Sequence, residues 1–346
     1  MFLKIKNKIE TELKIYIRSV GRLYSLNKIS PVLFNNIKDF LCRKGKRIRP
    51  TLFVVGYLGF AKKAAPGLYR SAISIELLHD FMLVHDDIID KSDTRRGKPS
   101  MHAMLNEYLA GYKNLKISGQ DLTIVIGDVM FAMALDAFLS IKEDMQRKEK
   151  ALKKLIEAAL FTGSGEFIEL IYGVNNIKDL TMSDIHKVYD LKTANYTFSA
   201  PLTIGATLAG AKREQIDKLF QYGIALGRAF QIKDDILGLF SEEAETGKSS
   251  LSDLREAKKT ILIWYAYKKS KQKNKSLIKK IFEKRNAGKN DLLKMRKIVL
   301  DSGALDYAKK EVAKLRIKAH KLNNSLQMKP KYKNALEIYS NKLLTL

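Results

Sequence analysis

Apolar residues recur every three or four positions along nearly the whole chain, and no stretch worth assigning as a strand alternates with a period of two. That spacing lays an apolar stripe along a helix of 3.6 residues per turn, so the chain must fold as helices packed on helices. Only 6 prolines interrupt 346 residues, and Leu, Lys, Ile and Ala are plentiful, which adds to a mostly helical reading. The spacing predicts helices over 3–25, 32–43, 50–61, 66–90, 101–111, 119–142, 148–173, 182–210, 213–240, 255–270, 274–285, 289–301, 303–324 and 331–345. Pro66-Gly67 and Gly97-Lys98-Pro99 mark breaks, Ser183 is the expected N-cap of the helix after it, and 241–253 reads as a long polar loop. No linker or internal repeat divides the chain, so one all-helical domain over 1–346 is expected.

Apolar residues at 46% and charged residues at 29% fit a globular protein. The single cysteine, Cys42, excludes an internal disulfide and suits a reducing compartment, so a cytoplasmic location is expected. Residues 1–14 are basic and mildly amphipathic without the apolar run of a secretory leader. The most apolar stretches, such as 52–61, read as too short to span a bilayer. The net charge of +26 is partly local: 268–297 carries thirteen Lys or Arg against two acidic residues. Such a run is ordinarily a solvated helix face, and it also suits the surface of an anionic membrane. It lacks interleaved aromatics and any nucleic-acid motif, so no nucleic-acid partner is expected.

Two acidic clusters carry the chemistry. Asp86-Asp87-Ile88-Ile89-Asp90 ends an otherwise apolar helix. Asp86 and Asp90 lie about 40° apart on the helical wheel, and Asp87 is adjacent. Three carboxylates so close oppose one another's ionisation, at a helix end that already carries partial negative charge. A hard divalent cation removes that conflict, and Mg²⁺ favours carboxylates together with substrate phosphates. His79 lies within about 20° of Asp86 and Asp90 on the same wheel. The second cluster, Phe230-Gln231-Ile232-Lys233-Asp234-Asp235, also ends an apolar helix, with Gln231, Asp234 and Asp235 on one face. A lone acidic pair is ordinarily solvated surface. Two pairs, each embedded in apolar helix and trailed by basic residues, call for a charged ligand.

The basic groups are Gly45-Lys46-Arg47-Ile48-Arg49-Pro50, Arg95-Arg96-Gly97, Lys192-Thr193, Gly247-Lys248-Ser249 and Lys258-Lys259-Thr260. Guanidinium forks and ammonium point charges together suit a diphosphate. Gly247-Lys248-Ser249 is not a nucleotide P-loop, because position 242 is Glu and no strand precedes it.

In this order the motifs resemble those of the trans-prenyl diphosphate synthases, also called polyprenyl synthetases. The motifs run from residue 45 to 260, and the flanking helices extend the likeness over nearly the whole chain. The resemblance implies an all-α fold, an antiparallel helical bundle around a deep central cavity with the two acidic motifs at its mouth. It implies that Asp86, Asp87, Asp90 and Asp234, with Asp235, hold three Mg²⁺ on an allylic diphosphate. It assigns Arg95, Lys192 and Lys248 to that diphosphate and Lys46, Arg49, His79 and Arg96 to isopentenyl diphosphate. Lys258 would help close the site, and Thr193 and Gln231 would offer oxygens to the developing cation. A homodimer is likewise implied. The second motif departs from the family pattern at Gly238, where a third Asp is common, so weaker hold on a third metal is expected.

The implied reaction ionises the allylic carbon–oxygen bond, after which the double bond of isopentenyl diphosphate attacks the cation and a proton is lost. Charge stabilisation and alignment do the work, which is why no nucleophilic Ser or Cys is needed. Product length is expected to depend on Ile75, Leu78, Phe81 and Met82, upstream of the first motif. The resemblance alone places Phe81 at the pocket wall, and by it Phe81 followed by Met82, with no second aromatic, implies a C20 product, geranylgeranyl diphosphate, with farnesyl diphosphate (C15) or a longer chain as alternatives. A terpene cyclase, a non-catalytic partner subunit and a basic membrane-surface protein are the readings of other kinds. The three aspartates of the first motif, the Asp-Asp pair of the second and the basic groups disfavour them.

Overall fold

The computed structural model describes residues 1–241, 251–284 and 286–345. It consists of two compact units, Met1–Leu155 with Ile204–Ala211, and Ile156–Thr203 with Lys212–Leu346. Almost all regular structure is helical, as the spacing predicts.

The first unit begins with α1 (Phe2–Leu23), whose Ile5, Ile9, Leu13, Tyr16, Ile17 and Val20 form one buried stripe. A short α2 (Leu26–Ile29) leads to α3 (Pro31–Cys42), opened by Ser30, whose hydroxyl accepts from the Leu33 amide at 3.3 Å, with proline at its first position. The helix α4 (Ile48–Phe60) is buried almost all round. The helix expected over 66–90 is two: α5 (Leu68–Ala72) and α6 (Ser74–Ile89). At Ile73 the backbone tightens to an i→i+3 bond, Glu76 N–H to Ile73 O at 3.0 Å, which separates them.

After α6 comes structure the spacing did not predict: strand β1 (Thr94–Arg95) pairs antiparallel with β2 (Lys98–Pro99). The turn residues Arg96 and Gly97 both have positive φ, 56° and 73°, the backbone of a tight primed hairpin turn. Then follow α7 (Met101–Leu109) and α8 (Gly119–Leu139), the latter started by a reciprocal capping box between Ser118 and Asp121. By length and composition α8 is apolar enough to cross a membrane, with mean hydropathy 2.0, which corrects the expectation that every apolar stretch is too short. It packs along α6 within the unit.

The helix α9 (Met145–Val174) belongs to the first unit up to Leu155 and to the second from Ile156. In the second unit α10 (Met182–Val188) is capped by Thr181, not Ser183, because Thr181 and Asp184 bond each other's backbone amides at 2.8 and 3.2 Å. The chain then widens into a π-helix over Tyr189–Ser199 before α11 (Ala200–Leu208) and the long α12 (Arg213–Phe240). The π segment lies against α12 at Gly227, where a Cβ would come 2.3 Å from the Ala194 Cα. The helix expected over 255–270 is interrupted: α13 (Ser252–Arg255) ends before Ala257, whose φ is 52°, and Thr260 caps α14 (Ile261–Lys269). Helices α15 (Gln272–Phe282), α16 (Lys289–Asp301), α17 (Ala304–Ser325) and α18 (Pro330–Leu344) complete the unit. Leu219, Tyr222, Leu226, Leu262, Ile278, Val299 and Leu336 are fully or almost fully buried in its core. Each such side chain contributes about 1.5–3 kcal/mol.

Candidate active site

The acidic end of α6 separates its aspartates by burial. Asp87 is fully buried, while Asp86 and Asp90 are half-buried. Arg95 reaches back from the hairpin and donates to Asp87 Oδ1, with Nε at 2.7 Å. Burial still holds the Asp87 carboxyl above the usual carboxylate range, although Arg95 pulls it down. Asp87 Oδ2 is buried without a hydrogen-bond partner.

The hairpin that carries Arg95 and Arg96 is pinned from both sides. The Arg43 guanidinium donates to Pro99 O at 2.8 Å and to Arg95 O at 3.3 Å. Arg96 donates to Asp80 Oδ1 at 2.9 Å and lies 3.9 Å from Glu76. Beneath them Arg47 is fully buried and donates to Glu10 at 2.8 Å, to Glu76 at 2.7 Å and to the carbonyls of Leu41 and Arg43. Burial pushes Asp80 up to about 7, against the pull of Arg96 and Arg47. His79 sits in the field of the same arginines. Burial, then Arg49, Arg96, Arg95 and Arg47, hold its imidazole well below the usual range, so it is neutral at pH 7. Arg49, Arg95, Arg96 and His79 therefore share one neighbourhood, whereas Lys46 is exposed.

Of the residues expected to set product length, Ile75 and Leu78 have 0% and 1% exposure and touch almost no accessible space. Phe81 and Met82 are half-buried. Phe81 packs edge-on against His85 (4.8 Å between ring centres) and against Phe131 of α8 (5.4 Å).

The acidic end of α12 divides in the same way. Asp234 is exposed and Asp235 buried. Asp235 accepts from the Tyr189 hydroxyl at Oδ2 and from Gln231 Nε2 at 2.9 Å at Oδ1. Gln231 Oε1 in turn accepts from the Thr193 hydroxyl at 2.7 Å. The Tyr189 hydroxyl oxygen, Oη, accepts from the Ile261 amide at 2.9 Å, which ties this chain to the first residue of α14. On the π segment, the Lys192 ammonium pairs with Glu166 and with Glu169, the latter at 2.5 Å. Lys192 and Lys258 hold the Glu169 carboxyl below its usual range, although burial works the other way. Lys258 pairs with Glu256 at 2.6 Å. Burial lowers its neighbour Lys259 to about 8. Lys248 lies outside the described residues.

Sequence reasoning missed Arg43, Arg47, Glu76, Asp80, Glu166, Glu169, Tyr189 and Phe131. Glu76 and Asp80 left a readable signal, two acids one turn apart inside an apolar helix, which demand buried partners. Tyr189 left none.

Among the described residues no three His, Cys, Asp or Glu side chains gather closely enough to hold a metal alone. A hard cation that keeps water and phosphate ligands does not need such a cage. The carboxylates of Asp86 and Asp90, beside the buried unpartnered oxygen of Asp87, are the oxygen donors it takes, so the residues present fit a divalent cation.

The family model described as polyprenyl synthetase matches residues 30–299. A short chain isoprenyl diphosphate synthase of Methanocaldococcus jannaschii is 32% identical over 305 residues, 88% of this chain and 84% of its own. A geranylfarnesyl diphosphate synthase of Aeropyrum pernix is 35% identical over 269 residues, 76% of this chain and 78% of its own. Among solved structures, a geranylgeranyl pyrophosphate synthase of Corynebacterium glutamicum, complexed with isoprenyl diphosphate and magnesium, shares the fold with a TM-score of 0.89. It is 24% identical, over 99% of this chain and 98% of that one.

Proposed function

The chain belongs to the polyprenyl synthetase family and is a prenyltransferase, and from that premise we propose that it joins isopentenyl diphosphate head to tail to allylic diphosphates, giving geranylgeranyl diphosphate and pyrophosphate. One observation carries the reading. Each acidic helix end bonds one aspartate internally, Asp87 to Arg95 and Asp235 to Gln231, and leaves another half-buried or exposed, Asp90 and Asp234. Carboxylates at least partly open to solvent at the ends of apolar helices suit a charged ligand that approaches from outside.

Asp86, Asp87, Asp90 and Asp234 would hold Mg²⁺, three ions by family resemblance. When bound, Mg²⁺ supplies positive charge that favours departure of the diphosphate. Arg95 and Lys192, with Lys248, would bind the allylic diphosphate. Lys46, Arg49, Arg96 and neutral His79 would bind that of isopentenyl diphosphate. Arg95 is already fixed through Asp87, and Arg96 through Asp80, so their forks need little reordering. Thr193 and Gln231 would turn oxygen lone pairs to the allylic cation.

Phe81 and Met82 would end the product pocket, and a single aromatic at that point of α6 supports C20. Exposed Ile124 and Val125 on α8, and Leu160, Phe167 and Val174 on α9, support a homodimer that covers them. On α16 Leu293 and Leu300 are 59% and 53% exposed among Lys289, Lys294 and Lys297, which supports contact with anionic membrane. We place the enzyme in the cytoplasm, with residues 1–346 acting as one catalytic domain.

The test is incubation with dimethylallyl and isopentenyl diphosphates and magnesium chloride, followed by sizing of the products. A C20 end point is expected, and Asp86→Ala should abolish it. A C15 or longer end point overturns the product assignment, and no turnover overturns the reading as a whole.

A further inference from the structure

Asp235 belongs to a hydrogen-bonded chain whose direction is fixed chemically. A carboxylate only accepts, so the Gln231 carboxamide must turn its NH₂ toward Asp235, and it does so at 2.9 Å. Its carbonyl oxygen must then face the other way, toward Thr193. The Thr193 hydroxyl has to donate to that oxygen, which it does at 2.7 Å. The anchor is itself held: the Tyr189 hydroxyl donates to the second carboxylate oxygen while accepting from the Ile261 amide at 2.9 Å. Tyr189 and Asp235 are both buried, and Thr193 and Gln231, at the far end of the chain, are half-exposed.

From this geometry we infer that Asp235, backed by Tyr189, is a positioning residue and not a metal ligand. It sets the polarity of the chain so that the outer end presents the oxygen lone pairs of Gln231 and Thr193 and no N–H. The inference rests on the prenyl-transfer reading, in which positive charge develops on the allylic carbon. A carboxamide turned the other way would bring the positive end of its N–H dipoles toward that carbon. Asp234, exposed on the same helix, keeps the ligand role; the two adjacent aspartates have different jobs.

Asp235→Asn tests this at almost constant shape. The asparagine oxygen still accepts from Tyr189, which leaves its NH₂ facing Gln231, so the Gln231 amide must turn and Thr193 must become an acceptor. Wild-type turnover is scored first and judges the prenyl-transfer reading separately. For the variant, kcat should fall on the order of 10-fold or more, as when a dipole aimed at transition-state charge is lost, with KM for both diphosphates within about twofold. Calorimetric affinity for inorganic pyrophosphate in magnesium chloride should also stay within about twofold of wild type, while Asp234→Asn should weaken it by about 10-fold or more. The inference is overturned if Asp235→Asn loses pyrophosphate affinity as Asp234→Asn does, or if its kcat is unchanged. Should Asp235→Asn not fold, Tyr189→Phe decides: a lower kcat with pyrophosphate affinity retained supports the inference, and an unchanged kcat or lost affinity overturns it.

Discussion

The two acidic helix ends bury one aspartate each and stabilise it by opposite means. At α6 the partner of Asp87 is a full charge, Arg95, delivered by a hairpin. At α12 the partners of Asp235 are neutral donors, Tyr189 and Gln231. The difference extends into the frame behind each. Behind α6 lies a buried ionic cluster in which Arg47 and Arg96 face Glu76 and Asp80. Behind α12 the ion pair that ties the π segment to the helix, Arg228 with Asp190, leaves both side chains 28% exposed. An ionic frame holds arginine forks rigidly but is intolerant of losing one member. A neutral chain is directional and can set which end of an amide points outward.

The largest effect expected from this contrast is at Arg47. Arg47→Met removes the one cation that joins Glu10, Glu76 and two backbone carbonyls, and it leaves Glu76 buried. Losing one member of a buried ion cluster costs about 3–5 kcal/mol. Urea unfolding should show a loss in that range, and a loss below about 1 kcal/mol would mean the cluster is not the frame it looks to be. Next is Gly227→Ala. Its new methyl would meet Ala194 Cα at 2.3 Å and Cβ at 2.6 Å, atoms that no rotamer change can withdraw, so the π segment must move. Overpacking of this kind costs about 1–3 kcal/mol. Because the displaced segment carries Lys192 and Thr193, kcat should fall by more than the stability loss accounts for. Full activity in a destabilised variant would separate the π segment from catalysis.

How far the sequence could show this contrast depends on the range of each interaction. The all-helical fold and the acidic ends of α6 and α12 were legible, because apolar spacing and an Asp-Asp pair are local patterns. Two-residue strands are too short to leave a period, so the hairpin was read as a loop. A π turn differs too little from an α turn to show over the eleven residues of Tyr189–Ser199. The helical wheel put Gln231, Asp234 and Asp235 on one face, and the Gln231–Asp235 bond bears out that pair. Which aspartate is buried depends on Tyr189, 46 residues earlier, and no spacing rule reaches that far. Arg47 sits in a basic group that reads as a diphosphate contact, and its burial is set by Glu10 and Glu76, 37 and 29 residues away.

The ionic frame should also make stability depend on pH. Burial raises Asp80 from about 4 in the unfolded chain to about 7, even with Arg96 and Arg47 beside it and Glu76 adding to the rise. A carboxyl raised on folding binds its proton more tightly in the folded state. Stability from this group is therefore full below pH 4 and declines as pH climbs toward 7, by at most about 1.4 kcal/mol per pH unit. Melting curves from pH 4 to 8 should show wild type losing ground to Asp80→Asn across that window. Parallel curves would show that Asp80 stays ionised, and that the α6 cluster is a plain set of salt bridges.

The smallest effect is expected at Arg228→Gln, and it is where the comparison is most exposed. The Arg228–Asp190 pair is bidentate, with both contacts at 2.5 Å, yet it is partly open to solvent. Geometry argues for a strong clamp, and solvation argues that water replaces most of what is lost. Solvation should win, because a partly exposed pair trades protein partners for water and regains the side-chain entropy that its formation cost, leaving a loss of about 1 kcal/mol or less. The loss should shrink further in 1 M salt, where screening reaches only about 3 Å. If Arg228→Gln instead costs as much as Arg47→Met and is indifferent to salt, the second unit is also held by an ionic frame. The distinction between a charged support for one acidic end and a neutral support for the other would then be lost.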